Sequence, residues 1–468
     1  MLYTVISAVC LKKLQVDDYL GLVAASSVIR PGVAKSGMMR QYILRSRHPE
    51  KRKEAHPVLA KLMPETYGVM VYQEDVIKVA HHFGGLDLGE SDMLRRGMSG
   101  KFRSREEFLK VKQKFFDNCK EDGKPYDLVA DVWRQIESFA GYAFAKGHSA
   151  SYAVESYQSL FLKAYYPLEY MTATINNFGG FYSTELYVHE ARMHNGTIEA
   201  PCINQSFTQA IIKGQTIYLG FMFLQSLESK TIERILKERH NNGHFKSLDD
   251  FIERIPISIE QITILIKINA FRFTAINKRE LLWEAHLKIS KTVVLEDVIT
   301  LFKTERINYS TPELPSTVLE NAFDEIELLG FSLCNPFYLL EKASTSKLRA
   351  KHLEQLKGKY VKIEGYLITT KNTKTASGRL MHFGTFLGRD GNFIDTVHFP
   401  PVAAKYPFRG RGIYEIIGKV MVEFDCVSIE VSKLERLAII EDPRYSIKSL
   451  NPTFQKKRSF NDLKKAHG

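Results

Sequence analysis

At Lys359 the texture of the chain changes, and that change most restricts how it can fold. Downstream, five short runs are rich in β-branched and aromatic residues: Tyr360–Thr370, Met381–Leu387, Phe393–Phe399, Gly412–Val422 and Ser428–Val431. Turn-forming stretches such as Ala376-Ser-Gly378 and Arg389-Asp-Gly391 separate them. Five strands of this length suit an OB-type barrel. Lys371, Lys374 and Arg379, with Phe383 and Phe386, are candidates for a basic, stacking surface for single-stranded DNA. For either phenylalanine taken singly, a place in the barrel core is the simpler reading.

Upstream, the spacing is helical. Over residues 11–175, Val76, Val79, Ala80 and Phe83 share one face, and Phe108, Val111, Lys112 and Phe115 share another. Asn176-Asn-Phe-Gly-Gly180 breaks this pattern, and Thr216–Phe221 reads as a strand. Helical spacing returns over 222–290, with two short helix pairs around Leu227–Arg239 and Ile259–Leu282. A polar stretch, Asn308–Pro315, precedes a short helix at Glu325–Phe331. The chain therefore reads as a multidomain α+β protein. A helical domain spans 1–175, a connector 176–221, a second helical module 222–300, a linker 301–345, a barrel 346–440 and a poorly ordered basic tail 441–468.

With 65 Lys and Arg against 53 Asp and Glu, the net charge is +12, a sign that favours polyanions without setting a sequence preference. The five cysteines, Cys10, Cys119, Cys202, Cys334 and Cys426, lie far apart. That spacing argues against a disulfide framework and against structural zinc. The pair His81-His82 reads as structural, its side chains expected to point in different directions. No apolar run reaches membrane-spanning length, and in Met1–Cys10 the basic residues Lys12 and Lys13 follow the apolar stretch, the reverse of a secretory signal. A cytoplasmic protein is expected.

The stretch Phe139–Ala153 carries the sharpest chemical signal. A turn of small residues delivers Lys146 and His148 to the start of a helix, with Ser149 placed to cap it and Ala150, Ala153, Tyr157, Phe161 and Ala164 following at helical spacing. A helix N-terminus offers unpaired N–H groups and a positive dipole end, so an ammonium and an imidazole there suit a phosphate chain. Taken alone, the same residues also describe a capped surface helix with a solvated lysine.

Five segments in order decide between these readings. They are Arg30-Pro-Gly32 with Ser36-Gly-Met38, Tyr67-Gly-Val-Met-Val-Tyr-Gln-Glu74, Leu88–Met98, the Lys146–His148 turn, and Ser156-Tyr-Gln158 with Lys163-Ala-Tyr-Tyr-Pro167. Their order and spacing resemble the fingers region of the C-family DNA polymerases, the bacterial DNA polymerase III alpha subunits, with fainter resemblance to about Leu437. The resemblance implies a helical fingers domain, a helix-hairpin-helix module, a C-terminal OB-type barrel and DNA-directed DNA polymerase activity in replication. It also implies that Arg95, Arg96, Lys146 and His148 bind the incoming deoxynucleoside triphosphate, joined by Arg30, which before Pro-Gly could equally anchor a turn. Guanidinium groups suit that task because they grip phosphate oxygens bidentately. Arg95 and Arg96 cannot both point inward from one helix face, so one of them is expected in a structural salt bridge.

The sequence departs from the family in several places. Templated nucleotide addition needs two metal ions held by carboxylates, and no two aspartates lie one residue apart. Asp17-Asp18 and Asp249-Asp250 are adjacent pairs, and Asp87, Glu90 and Asp92 read as helix caps. The expectation is a chain with no metal site of its own, lacking the palm, whose complete polymerase would use magnesium. A truncated product or one piece of a split polymerase follows, with the error-prone, lesion-bypass branch or a non-catalytic DNA-binding remnant as alternatives. Ser226-Leu-Glu228 and Ile268-Asn-Ala270 stand where the family places glycine-rich hairpins, so the hairpin fold should survive with weaker phosphate contact. Val298-Ile-Thr-Leu-Phe302 keeps the hydrophobic plug of a sliding-clamp peptide without its glutamine, and an amphipathic helix edge explains it as well.

Overall fold

A computed structural model describes residues 13–29, 36–98, 105–139, 145–180, 182–289, 317–342, 346–375 and 377–445, the side chains of 97, 98 and 105 apart. Arg30 and the Val298–Phe302 segment lie outside these residues. Two compact units are present, Met1–Tyr165 with Val422–Val427 and Tyr166–Met421 with Ser428–Gly468.

The first unit is helical. Its elements are α1 (Tyr19–Val28), α2 (Met38–Arg47), α3 (Pro57–Leu62), α4 (Gln73–His82), α5 (Leu88–Met98), α6 (Arg105–Glu121), α7 (Tyr126–Glu137) and α8 (Lys146–Tyr165). Asp18 caps α1 by accepting the Gly21 N–H, so the first adjacent aspartate pair has a structural use. Val76, Val79, Ala80 and Phe83 are fully buried with Phe115, Val132 and Ile136, as the helical spacing demands. Gly84 lies so close to Phe115 that a Cβ there would come within 2.1 Å of a ring carbon. Crossing helices α1 and α8 meet through small residues: the Ser27 and Ser149 hydroxyls hydrogen-bond, beside buried Ala25 and Ala153. Ser149 is therefore a buried packing residue inside α8 and not its cap, because the helix starts at Lys146, four residues earlier than a Ser149 cap would place it. His81 and His82 do not diverge either: their rings approach to 4.6 Å, and His81 Nδ1 reaches the Leu86 carbonyl at 2.6 Å.

In the second unit, α9 (Pro167–Asn176) ends where predicted, with Phe178 and Gly179 at φ 57° and 74°. The presumed connector holds more structure than its sequence suggests. It contains α10 (Thr184–Met193) and a small sheet of β1 (Thr197–Glu199), β2 (Ile211–Lys213) and β3 (Thr216–Tyr218) in the order β1-β3-β2. Leu168, Met171, Ile175, Val188, Ala191, Ile217 and Leu219 give this region its own core. Four helices follow: α11 (Ser229–Asn242), α12 (Leu248–Arg254), α13 (Ile259–Lys267) and α14 (Lys278–Ile289). They close over Phe221, Phe245, Phe251 and Phe271.

The short helix expected at Glu325–Phe331 is α15 (Val318–Leu329), longer because Thr317 and Glu320 form a capping box at its start. Its buried Asp324 pairs with Lys278 and with Arg444. This pairing orders residues 441–445, the first part of the presumed tail, while 446–468 lie outside the described residues.

The β-rich region forms a closed five-stranded barrel of OB type, ordered β4-β5-β6-β8-β7. Its elements are β4 (Tyr360–Lys374), β5 (Leu380–Leu387), β6 (Phe393–His398), α16 (Pro400–Lys405), β7 (Ile413–Glu423) and β8 (Cys426–Arg436). β6 pairs in parallel with β8 to complete the closure. Gly365 is required inside, since a Cβ there would lie 2.6 Å from the Phe386 side chain.

Candidate functional site

The N-terminal end of α4 is the hub of the helical unit's polar chemistry. Buried Asp75 accepts the Val71 and Tyr72 N–H groups, both at 2.9 Å, which fixes the entry of the chain into α4. Burial pushes the Asp75 carboxyl up from its ordinary value, and those two hydrogen bonds oppose the shift. The adjoining Gln73 and Glu74 then reach two of the predicted cations. Arg95 Nη1 lies 3.5 Å from Gln73 Oε1. The Lys146 backbone N–H donates to both Glu74 carboxylate oxygens, at 3.0 and 3.1 Å.

Arg95 and Lys146, 51 positions apart, therefore meet the side chains of consecutive residues at one helix end. The Lys146 ammonium extends to Glu65, with both carboxylate oxygens at 2.7 Å, and lies 5.6 Å from the Tyr72 ring centroid. His148 follows two residues later and is exposed.

The salt bridge expected of one of Arg95 and Arg96 is made by both. Both bind Asp92, Arg95 Nε to Oδ1 at 2.7 Å and Arg96 Nε to Oδ2 at 2.6 Å. These hydrogen bonds hold the Asp92 carboxyl below its ordinary range. Asp92 is thus an ion-pair partner inside α5. The cap is Asp87, which accepts the Glu90 N–H at 2.8 Å while Glu90 accepts the Asp87 N–H at 3.0 Å. The arrangement is three cations, each already facing a carboxylate from Glu65, Glu74 or Asp92. Sequence reasoning missed Glu65, Gln73 and Glu74 as partners, although Tyr67–Glu74 was one of the matched segments.

The three barrel residues do not form one surface. Lys371 pairs with Phe383 and Lys374 with Leu380 across the β4–β5 hairpin. Side chains alternate along a strand, so positions 371 and 374 face opposite sides. Lys371, Phe383 and Arg379 share one face, Arg379 lying across from Thr375. Lys374 shares the other with His382 and with Phe386, which is fully buried barrel core. A pocket of about 510 Å³ opens beside that second face, lined by Thr369, Asn372, His382, Phe408 and Arg411 among others.

Both glycine-poor hairpins keep a left-handed residue: Ser226 has φ 63° and Asn269 φ 62°. The buried Gln261 amide donates to the Ser226 carbonyl at 2.9 Å and accepts the Glu228 N–H at 2.8 Å. At the second hairpin the Asn269 and Ala270 N–H groups donate to the Ile266 and Leu265 carbonyls, both at 2.9 Å. Three hairpin amides are therefore engaged within the chain. Of the second aspartate pair, Asp249 meets Lys288 and Asp250 meets Arg254.

Among the described residues no three His, Cys, Asp or Glu side chains gather to hold a metal ion, and Cys119, Cys202 and Cys334 are free thiols. No helix among them is long and apolar enough to cross a membrane.

Comparison with known proteins accounts for this combination of elements. The family model described as the bacterial DNA polymerase III alpha subunit finger domain matches residues 5–123, and the helix-hairpin-helix motif matches residues 195–281. The class is that of polymerase fingers joined to a helix-hairpin-helix module and a barrel. The DNA polymerase III subunit alpha of Aquifex aeolicus (strain VF5) is 29% identical over 449 residues, covering 94% of this chain and 36% of the relative. That of Staphylococcus aureus (strain MRSA252) is 28% identical over 452 residues, covering 93% and 41%. The chain is thus similar over most of its length to the bacterial DNA polymerase III alpha subunits, and it spans about two fifths of the length of the curated relatives it matches. The hairpin motif starts ahead of the expected module and takes in β1–β3. Lys146 and His148 lie beyond the finger-domain match, inside the stretch aligned with the relatives.

Proposed function

We propose that this chain binds the incoming deoxynucleoside triphosphate and primer-template DNA as the fingers-to-barrel portion of a DNA polymerase III alpha-type polymerase. The observation that carries this is the meeting of Arg95 and Lys146 at the N-terminal end of α4, beside the start of α8. A triphosphate needs several positive groups on one side, and a helix N-terminus flanked by a guanidinium and an ammonium supplies them. Arg96 and the His148 imidazole complete the set, and Arg30 belongs to the same reading. The helix-hairpin-helix module and the Lys371–Arg379 face of the barrel would track the DNA backbone. A sliding clamp at Val298–Phe302 and a cytoplasmic setting belong to the same proposal.

Magnesium for phosphoryl transfer would be held by a palm supplied from outside the described residues, since no group of donors there fits the ion. The same observation favours a second reading, a DNA-binding protein without synthesis of its own. Primer extension with magnesium and four nucleotides separates them. The chain alone should give none, and a fusion to a palm domain should restore it. In that fusion Lys146→Ala should weaken nucleotide binding more than DNA binding. The opposite ranking would make Lys146 a template contact and defeat the nucleotide assignment.

A further inference from the structure

The segment Tyr67–Glu74 and its neighbourhood supply two carboxylates aimed at Lys146, to which the binding scheme above gives no role toward the ligand. Glu74 stands in the first turn of α4, and both its oxygens receive the Lys146 backbone N–H, at the end of α8 where an anion is favoured. Glu65 stands in the single-turn helix Pro64–Thr66, and both its oxygens receive the Lys146 ammonium at 2.7 Å. Four carboxylate oxygens therefore surround Lys146, on the donors that a phosphate chain would use. Resting on the nucleotide-site reading, we propose that Glu65 and Glu74 are resident counter-anions of this site. They hold Lys146 and the α8 terminus in place when the site is empty and compete with the triphosphate for the same donors.

The physical reason is charge balance. Lys146 with its two carboxylate neighbours carries a net charge of about −1 by formal count, so a polyanion approaching it meets repulsion until a carboxylate gives way. Of the two, Glu65 yields more readily. Its side chain is 34% exposed, and its partner is a flexible ammonium, whereas Glu74 is tied to a backbone amide of the helix. Glu74 thus acts mainly as a positioning residue for α8, and Glu65 as the counter-ion exchanged on binding.

The test is the affinity of the full chain for inorganic tripolyphosphate by calorimetry, at low and at high salt. Glu65→Gln should bind about twofold to fivefold more tightly than wild type, the range an exposed ion pair carries, with the gain shrinking at high salt. Lys146→Ala should bind more weakly than wild type. Glu121→Gln, an exposed acid removed elsewhere in the same unit, is the control for net charge. Equal tightening in E121Q and E65Q, or no tightening in E65Q, would overturn the counter-anion role. If K146A binds like wild type, or if no variant binds, the nucleotide-site reading itself falls and the inference with it. Circular dichroism of E74Q gives a separate check: loss of helix signal that tripolyphosphate restores is expected, and an unchanged spectrum with unchanged affinity would remove Glu74 from the proposal.

Discussion

Acid should weaken the barrel in part through one side chain, His398. It is fully buried, its Nε2 lies 2.9 Å from Thr396 Oγ1, and its Nδ1 has no hydrogen-bond partner among the described residues. Thr396 has one hydroxyl hydrogen, which goes to the Gly384 carbonyl at 2.9 Å, an atom that can only accept. Nε2 must then carry the imidazole hydrogen, and Nδ1 is bare. Protonation would place a new N–H, with its charge, in a dry site against the Phe408 ring, whose centroid is 4.8 Å away. Burial, helped by the nearby His382, pushes the His398 pKa down from 6.5 to about 4. Above pH 6.5 neither the folded nor the unfolded form binds the proton. Between pH 6.5 and 4 the unfolded form takes it up and the folded form does not, so stability is lost as the pH falls. At roughly 1.4 kcal/mol per pH unit the loss is about 2 kcal/mol at pH 5 and about 3 kcal/mol near pH 4. Hydrogen exchange of the β4–β8 amides, corrected for intrinsic rates, gives the opening free energy at pH 7.5 and pH 5. His398→Leu should remove about 2 kcal/mol of the difference between them. An equal pH dependence in wild type and H398L, or a His398 titration midpoint near 6.5 by NMR, would refute the assignment.

Other predictions concern the packing that positions the candidate sites. Gly84→Ala forces a methyl into Phe115 and should destabilise the first unit by roughly 1–3 kcal/mol in urea unfolding followed by Trp133 fluorescence. Asp324→Ala strands buried Lys278 without its carboxylate and should cost about 3 kcal/mol or more, whereas the double change Lys278→Met with Asp324→Leu should recover most of that loss. Gln261→Ala removes both hydrogen bonds across the first hairpin and should cost roughly 1–2 kcal/mol, with faster exchange at the Glu228 amide. Lys371→Ala with Arg379→Ala should flatten the salt dependence of single-strand binding, while Lys374→Ala, on the opposite face, should leave the slope unchanged.

The barrel was legible because its strands are runs rich in β-branched and aromatic residues between turn-forming stretches: all five runs read from the sequence became strands of one closed sheet. Alternation along β4 separates Lys371 from Lys374, so grouping them by proximity in sequence was an error that counting by twos corrects. Helix α10 escaped notice although Leu186, Val188 and Ala191 are buried, because it follows directly on the Asn176–Gly180 break. Two of its polar side chains serve distant carbonyls, His189 reaching Gly391 and Arg192 reaching Leu333. At the proposed nucleotide site, the cations on α5 and α8 were readable from their motifs, and their counter-ions were not. Glu65 and Glu74 meet Lys146 across 81 and 72 positions, a pairing set by how the helices pack and by no local pattern. Ser149 shows the converse: a residue type that favours caps was buried against Ser27 because two helices needed small side chains where they cross.

Photo-crosslinking with an azido-substituted deoxyadenosine triphosphate, followed by peptide mapping, tests the central claim most directly. Labelled residues should fall in Glu65–Glu74, around Arg95 and Arg96, and at Lys146–His148, and excess unlabelled triphosphate should suppress all three together. Labelling confined to the barrel, or spread over exposed lysines without suppression, would contradict a nucleotide site at the start of α8.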